Sequence, residues 1–160
     1  MNIHPCGHDL LPILSVINAA AEAYRGVIPP DCWHEPYMSL AELEREVAAG
    51  VTFWGLEIDG ALQGVMGIQS VRDVELIRHA YVAPGLQRRG IGGALIRHLL
   101  HRSQRRMLVG TWAAAGWAID FYQRHGFVLV PAAETPELLR TYWAIPDRQI
   151  QTSVVLTSEG

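Results

Sequence analysis

The stretch YVAPGLQRRGIGGAL, from Tyr81 to Leu95, decides how the sequence folds around its functional residues. An extended apolar run ends before Pro84, and three glycines, Gly90, Gly92 and Gly93, stand where the next helix begins. Each glycine inside a helix costs roughly 1 kcal/mol relative to alanine. The stretch therefore gives up helix propensity at a place where side chains would be an obstruction.

The order strand, short loop and helix N-terminus is typical of an anion-binding site. The first N–H groups of a helix have no partner within the helix, and the helix dipole places partial positive charge there. The glycines remove Cβ atoms that would hold a phosphate away, and Arg88 and Arg89 add charge beside them. Close packing of the helix on a sheet, with solvated arginines, explains the same residues, so this pattern alone leaves both interpretations open.

Two other phosphate-binding motifs are absent from the sequence. No Gly-Lys-Ser/Thr of the Walker type occurs, and GIGGAL, residues 90–95, breaks the G-x-G-x-x-G fingerprint of dinucleotide-binding folds. A phosphate ligand must therefore be identified from the rest of the chain.

Composition excludes several classes of protein. The 160 residues suit one domain, residues 1–160, and 49% hydrophobic with 18% charged residues is a globular composition. A net charge of −3 provides no basic field for nucleic acid. No apolar stretch reaches the length of a membrane span, the first residues lack a secretory signal, and two cysteines make no disulfide framework. We expect a cytoplasmic protein with neither a nucleic-acid nor a membrane partner.

Hydrophobic periodicity predicts an alternation of helices and strands. Ser39 and Glu42 form a capping box, and Asp59-Gly60 is typical of a hairpin turn. Helices are predicted over residues 8–26, 39–50, 90–105, 116–126 and 135–143, and strands over residues 1–6, 51–58, 61–70, 73–82, 107–112, 127–130 and 149–156. This order predicts a mixed α/β sheet in one domain.

Two segments in this order carry a family resemblance. QRRGIG, residues 87–92, resembles the Q/R-x-x-G-x-G/A signature of the GNAT superfamily of acetyl-CoA-dependent N-acyltransferases, and YVAP, residues 81–84, matches the strand end that precedes it. AIDFYQRHGF, residues 118–127, resembles the family's A-x-x-[FLY]-Y-x-x-x-G-F segment. The resemblance covers most of the chain and implies an α/β fold with a single-domain, mostly antiparallel sheet flanked by helices.

The resemblance implies acetyl-CoA as acetyl donor and cosubstrate, with no metal. The backbone of Tyr81, Val82 and Ala83 would hold the pantetheine arm, and the Val82 N–H is the candidate oxyanion donor, although Val82 also suits a plain strand. The pyrophosphate would be cradled by Gln87, Arg88, Arg89, Gly90, Ile91, Gly92 and Gly93.

The implied reaction is direct attack of a primary amine on the bound thioester in a ternary complex. Tyr122 matches the family tyrosine that donates a proton to the leaving sulfur. A phenol of pKa ~10 is a weaker acid than a thiol of pKa ~8.5, so a hydrogen bond to the thiolate is sufficient. The alternative is a helix tyrosine that packs beside Phe121.

The sequence departs from the family at the general base. Where many members carry Glu on the fourth strand this chain has Leu76, one residue after Glu75, and a slip of one residue reverses the strand face. Where many carry Glu and Asn near the fifth strand it has Gly110 and Ala115, which cannot act.

His79 is the remaining candidate for the base. It lies two residues before Tyr81 and therefore on the same strand face, and an imidazole of pKa ~6.5 suits the task. A hydrogen-bonded histidine without a catalytic role and a chain of water molecules remain open.

The loop between the first two helices usually walls the acceptor pocket in this family. Here it offers an ammonium cation–π contacts and a carboxylate, although packing aromatics explain the same residues; the candidates are Trp33, His34, Glu35 and Tyr37. The acceptor would be a small-molecule amine or a peptide amine, and a homodimer through the last segments is left open.

The remaining residues bear on a metal site and on two alternative functions. His4, Cys6 and His8 supply at most three metal ligands, so no metal site is expected. Because the family Glu and Asn are missing, a non-catalytic acyl-CoA-binding or sensing module is the alternative function. A protein that binds a different nucleotide phosphate is the third functional hypothesis.

Overall fold

Residues 2–158 are described by a computed structural model, in which a seven-stranded sheet is flanked by six helices. The strands are β1 (Asn2–Pro5), β2 (Thr52–Ile58), β3 (Ala61–Val71), β4 (Val74–Val82), β5 (Met107–Trp112), β6 (Phe127–Leu129) and β7 (Ser153–Ser158). The helices are α1 (Leu11–Ala21), α2 (Leu40–Ala48), α3 (Ile91–Arg102), α4 (Gly116–Arg124), α5 (Thr135–Tyr142) and α6 (Asp147–Gln151).

The strands follow the order β1-β2-β3-β4-β5-β7-β6 across the sheet. Neighbours run antiparallel throughout residues 2–158 except at the centre, where β4 and β5 are parallel. The predicted mixed, mostly antiparallel sheet flanked by helices is therefore confirmed.

Apolar side chains alternate along the central strands and fill a core on each side of the sheet. On one face α3 and α4 pack with residues such as Met66 and Ile77. On the other, α1 and α2 cover one half of the sheet and α5 and α6 cover the other half. Four-residue spacing of Ile91, Leu95 and Leu99 places all three in the first core, each 1% exposed.

A β-bulge interrupts the pairing of β3 with β4. Tyr81 lies opposite Val65 and Arg78 lies opposite Gly67, so two residues of β4, His79 and Ala80, oppose a single residue of β3. His79 has a left-handed φ of 56°. Arg78 and His79, although consecutive, consequently both reach α2, while Ala80 packs on the opposite core.

β4 and β5 stay paired over a short length only. Glu75–Ile77 of β4 pairs with Met107–Val109 of β5, whereas β5 continues alongside β7 as far as Trp112. Beyond Ile77 the two central strands diverge and open a cleft within the sheet.

The strand predicted over residues 149–156 is wrong in its first part. Gln149, Ile150 and Gln151 alternate like a strand, but Pro146 at the N-cap and Asp147 in the first turn begin the short helix α6. Ile150 is buried beside Leu139, so one apolar residue suffices to hold this helix. The strand begins at Ser153 instead.

Gly67 tests how tightly the bulge is packed. A Cβ added there would lie 2.7 Å from the carbonyl oxygen of Arg78, whereas a Cβ at Gly116 would meet nothing within 4 Å. We expect Gly67→Ala to lower the free energy of unfolding by about 1–3 kcal/mol, as overpacking does. Gly116→Ala should stay within about 0.5 kcal/mol. Urea denaturation measures both; equal effects would mean that the bulge accommodates a side chain.

Candidate functional site

A cavity of about 120 Å³ lies where β4 and β5 diverge. Its wall comes from β4, β5, β7, α5, α6 and the segment between α1 and α2, and it contains five tyrosine and tryptophan side chains: Tyr24, Tyr37, Tyr81, Trp112 and Trp143. None of the described residues that line it is Asp or Glu, and its two basic side chains are those of Arg78 and His79.

The tyrosines form one packed cluster. The ring centroid of Tyr24 lies 5.5 Å from that of Tyr37 and 6.2 Å from that of Tyr81. The indole Nε1 of Trp112 donates a hydrogen bond of 2.8 Å to the Tyr37 hydroxyl. Burial, together with the nearby Tyr24, raises the pKa of Tyr37 to about 12, and burial also raises the pKa of Tyr24 and of Tyr81. The cavity therefore presents neutral hydroxyl groups near neutral pH.

The edge of β4 that faces the cleft offers backbone donors. The Ala83 N–H donates to the Gln63 carbonyl of the β3 side at 2.8 Å. Because backbone groups alternate in direction along a strand, the N–H group of Val82 points away from β3, towards the cleft. The Val82 carbonyl points the same way and accepts a hydrogen bond of 3.2 Å from Gln87 Nε2.

The N-terminus of α3 leaves backbone N–H groups without a capping side chain. Gly90 is the N-cap and has a left-handed φ of 80°, which favours glycine. No side chain caps this end and no acidic residue lies in its first turn, within the described part of the chain. The first-turn N–H groups of Ile91, Gly92 and Gly93 therefore remain available, and Arg88 and Arg89 are exposed beside them.

The sequence matches a known protein family over its central part. The family described as the acetyltransferase (GNAT) domain matches residues 49–129, about half of the chain. The chain belongs to the GNAT acetyltransferase family. The resemblance predicted from residues 87–92 and 118–127 is thereby confirmed.

Relatives of this GNAT domain agree in fold. The peptidyl-lysine N-acetyltransferase YiaC of Escherichia coli K12 is 33% identical over 99 residues, which cover 62% of this chain and 65% of that protein. A GNAT acetyltransferase from Elizabethkingia anophelis with bound acetyl-CoA superposes with a TM-score of 0.69 at 16% identity, covering 99% of this chain and 97% of its own. The PaiA N-acetyltransferase of Thermoplasma acidophilum in complex with coenzyme A has a TM-score of 0.71 at 15% identity, covering 100% of both chains.

In the GNAT domain Tyr122 lies on α4, in the core beneath the cleft. It is 5% exposed and packs between Phe121 and Phe127. Burial raises the pKa of Tyr122 well above its usual value, and the charge of the nearby Tyr24 phenol adds to the effect. The phenol therefore keeps its proton at neutral pH.

At the positions where many family members carry Glu or Asn, this chain has residues packed against their neighbours. Leu76 is fully buried. A Cβ at Gly110 would lie 3.4 Å from the Trp143 indole, so that indole occupies the space of a longer side chain. Ala115 is buried beside Trp112.

The structure brings one of the four predicted acceptor residues to the cavity. Tyr37 lines the wall. Arg25 covers the ring of Trp33 at 4.5 Å and pairs with Glu35 at 2.6 Å, so these two residues bind a cation of the chain itself. His34 is exposed and does not line the cavity.

Sequence reasoning missed several residues of the site. Trp112 and Trp143 read as ordinary packing aromatics, and Tyr24 lies at the end of a predicted helix with no motif around it. Glu46, which contacts His79, is separated from it by 33 positions. No local pattern links such distant residues.

Residues 2–158 contain neither a metal-binding cluster nor a membrane-spanning helix. No three His, Cys, Asp or Glu side chains there are grouped so as to hold a metal ion, and His4 instead lies 3.0 Å from Glu57. No helix in the same range is long and apolar enough to cross a membrane.

The Tyr37 hydroxyl should stabilise the cavity wall measurably. Tyr37→Phe leaves the buried Nε1 of Trp112 without its acceptor, and an unsatisfied buried donor costs about 1–3 kcal/mol. Tyr142→Phe is the control, because the Tyr142 hydroxyl bonds Asp73 at the exposed surface and its loss should cost under about 0.5 kcal/mol. Chemical denaturation compares the two; equal losses would contradict the role given to Tyr37.

Proposed function

We propose that the chain is an N-acetyltransferase that moves the acetyl group of acetyl-CoA to a primary amine. The observation that carries the proposal is that β4 joins three features. Its edge lies free of β5 beyond Ile77, its residues His79 and Tyr81 line the aromatic cavity, and the loop after it leads to the glycine-rich N-terminus of α3. Membership of the GNAT family supports this use of the cleft.

The coenzyme would enter along the α3 side of the sheet. Its pyrophosphate would meet the N–H groups of residues 90–93, with Arg88 and Arg89 at the rim. The side chain of Gln87 is tied to the loop by its bonds to Val82 and Gly85, so it shapes the turn and its backbone remains for the ligand. The pantetheine arm would pair with the unpaired edge of β4.

Chemistry would take place at the bulge. The N–H group of Val82 would stabilise the oxyanion that forms on the thioester carbonyl. Tyr122 would hydrogen-bond the leaving sulfur. The amine would arrive from the opposite face through the aromatic cavity, so donor and acceptor meet within the sheet.

Direct attack without a covalent enzyme intermediate agrees with the placement of the cysteines. Neither Cys6 nor Cys32 lines the cavity. Burial raises the pKa of the Cys6 thiol to about 11, the charge of Glu57 adding to it, so this sulfur is a poor nucleophile at neutral pH.

The cavity suits a slender alkyl amine. Its 120 Å³ is below the ~300–1,000 Å³ of pockets that enclose drug-sized ligands. Aromatic faces and neutral hydroxyls would hold an ammonium by cation–π contacts rather than by a carboxylate. Because YiaC is named as a peptidyl-lysine N-acetyltransferase, a lysine-containing peptide is the first acceptor to assay.

A non-catalytic acyl-CoA sensor is the second candidate, since Gly110 and Ala115 supply no carboxylate or amide. Binding of acetyl-CoA without acetylation of any lysine peptide, amino-terminal peptide or small amine would favour it. A cytoplasmic location and a homodimer stay predictions from the sequence.

Tyr122→Phe tests the catalytic assignment. We expect kcat to fall by about 10²-fold or more, since a positioned acid contributes ~10²–10⁴-fold. The KM for acetyl-CoA should stay unchanged. The variant should also fold normally, because the Tyr122 hydroxyl has no hydrogen-bond partner among residues 2–158. Tyr142→Phe serves as the matched control, and an unchanged kcat in Tyr122→Phe would remove this residue from the mechanism.

Gly92→Val tests the phosphate cradle. A side chain there would obstruct the coenzyme, and we expect the Kd for coenzyme A, measured by calorimetry, to rise by more than ~10-fold, or ~1.4 kcal/mol. A Cβ at Gly92 would also lie 3.1 Å from the Phe121 ring, so packing must be separated from binding. The double variant with Phe121→Ala restores the space. Recovery of affinity in the double variant would assign Gly92 to packing.

A further inference from the structure

His79 adopts a backbone conformation that residues with a side chain avoid. Its φ of 56° lies in the left-handed region, which costs roughly 1–2 kcal/mol. Such strain persists only where surrounding contacts impose it, and it is concentrated at functional sites. At this residue the β4 bulge turns the imidazole towards α2 and the cavity.

The imidazole is held from three elements. Its Nε2 lies 2.7 and 2.8 Å from the two carboxylate oxygens of Glu46 on α2. The ring stacks on Phe53 of β2, with centroids 6.2 Å apart and planes 24° from parallel. Arg78 of β4 fixes the carboxylate in turn, through a bond of 2.7 Å from Nη2 to Oε1.

The hydrogen bond determines which nitrogen carries the proton. Burial, the largest influence, raises the pKa of Glu46, but the hydrogen bond and charge of His79 and the charge of Arg78 outweigh it and leave the pKa below its usual value. An ionised carboxylate only accepts hydrogen bonds, so Nε2 must donate. In the neutral ring Nδ1 then carries a lone pair, and it has no hydrogen-bond partner among residues 2–158.

We propose that Glu46 is a positioning residue, which holds His79 with its proton on Nε2 so that Nδ1 accepts a proton from the acceptor ammonium in the cavity. The proposal rests on the acetyltransferase function proposed above. It supplies the base that Gly110, Ala115 and Leu76 cannot supply.

The proton transfer balances in simple steps. An N–H bond of the ammonium breaks and an Nδ1–H bond forms, which leaves an imidazolium beside the Glu46 carboxylate and a neutral amine. The amine nitrogen attacks the thioester carbon, the C–S bond breaks, and the sulfur leaves with the second amine proton. The imidazolium releases its proton to solvent, so the products are an acetamide, a free thiol and one proton.

The pKa of an alkyl ammonium shows why the reaction needs a base. An alkyl ammonium of pKa ~10.4 is neutral only about once in ~10³ molecules at pH 7. An imidazole that changes charge near neutral pH is suited to remove this proton.

The charged and titratable groups around His79 lie on α2, on β4 and around the cavity. Glu46 and Arg45 lie on α2, and Arg78 lies on β4. The phenols of Tyr24, Tyr37 and Tyr81 face it across the cavity. Since burial keeps these phenols neutral near pH 7, Glu46 and Arg78 dominate the field at the ring.

The test compares E46Q, H79Q and the double variant with E44Q, an exposed neighbour on α2. The wild-type chain is first assayed with the amine panel, and kcat/KM is then measured against pH. H79Q should lower kcat/KM by ~10²-fold or more and abolish its acidic limb, and E46Q should lower it by at least ~10-fold.

Coupling distinguishes positioning from support of the fold. The double variant should lose no more activity than H79Q alone, and E44Q should match wild type. Imidazole ¹⁵N NMR of wild type, a readout independent of turnover, should show the proton on Nε2.

Three results would overturn the proposal. They are a normal profile in H79Q, losses in E46Q and H79Q that multiply in the double variant, and a proton on Nδ1. A wild-type chain that binds acetyl-CoA but acetylates no amine would instead overturn the proposed function itself, and the catalytic use of His79 with it.

Discussion

The pairing of β4 governs the rest of the molecule. On one side a bulge opposite Met66 fits an extra residue into the strand, and on the other side β5 leaves after Ile77. A straight, fully paired β4 would close the cleft, direct Arg78 and His79 to opposite faces and separate His79 from α2. Gly67 permits this geometry, since a side chain there would meet the Arg78 carbonyl. The departure of β5 thus sets the cavity and the free backbone edge, and the bulge sets the His79–Glu46 contact.

The two faces of the sheet contribute different chemical groups to the candidate site. The face that carries α3 and α4 provides helix N–H groups, exposed arginines and the buried phenol of Tyr122. The opposite face provides aromatic rings and a histidine–carboxylate pair. Two reactants of different chemistry would therefore approach from opposite sides.

The sequence predicted what depends on local order along the chain. Glycines at a helix start, the Asp-Gly turn and the segment around Tyr122 predict the fold and its family, because neighbouring residues encode turns and periodicity. The relation of Glu46 to His79 depends on a bulge and on the docking of α2, and neither has a local pattern. The contacts of Trp33 and Glu35 with Arg25 could not be predicted for the same reason, because only the folded loop brings this cation to them. The segment at Gln149–Gln151 shows the limit of periodicity in a stretch of three residues.

Unpaired strand edges usually lie at the rim of a sheet, where they invite the strands of other molecules. The cleft between β4 and β5 places such edges at the centre instead, beneath α1 on one side and α5 on the other. Covering an edge with a helix is one way in which proteins keep it from pairing with other molecules. Hydrogen-bonding groups that would promote aggregation at a rim are thereby shielded from foreign strands.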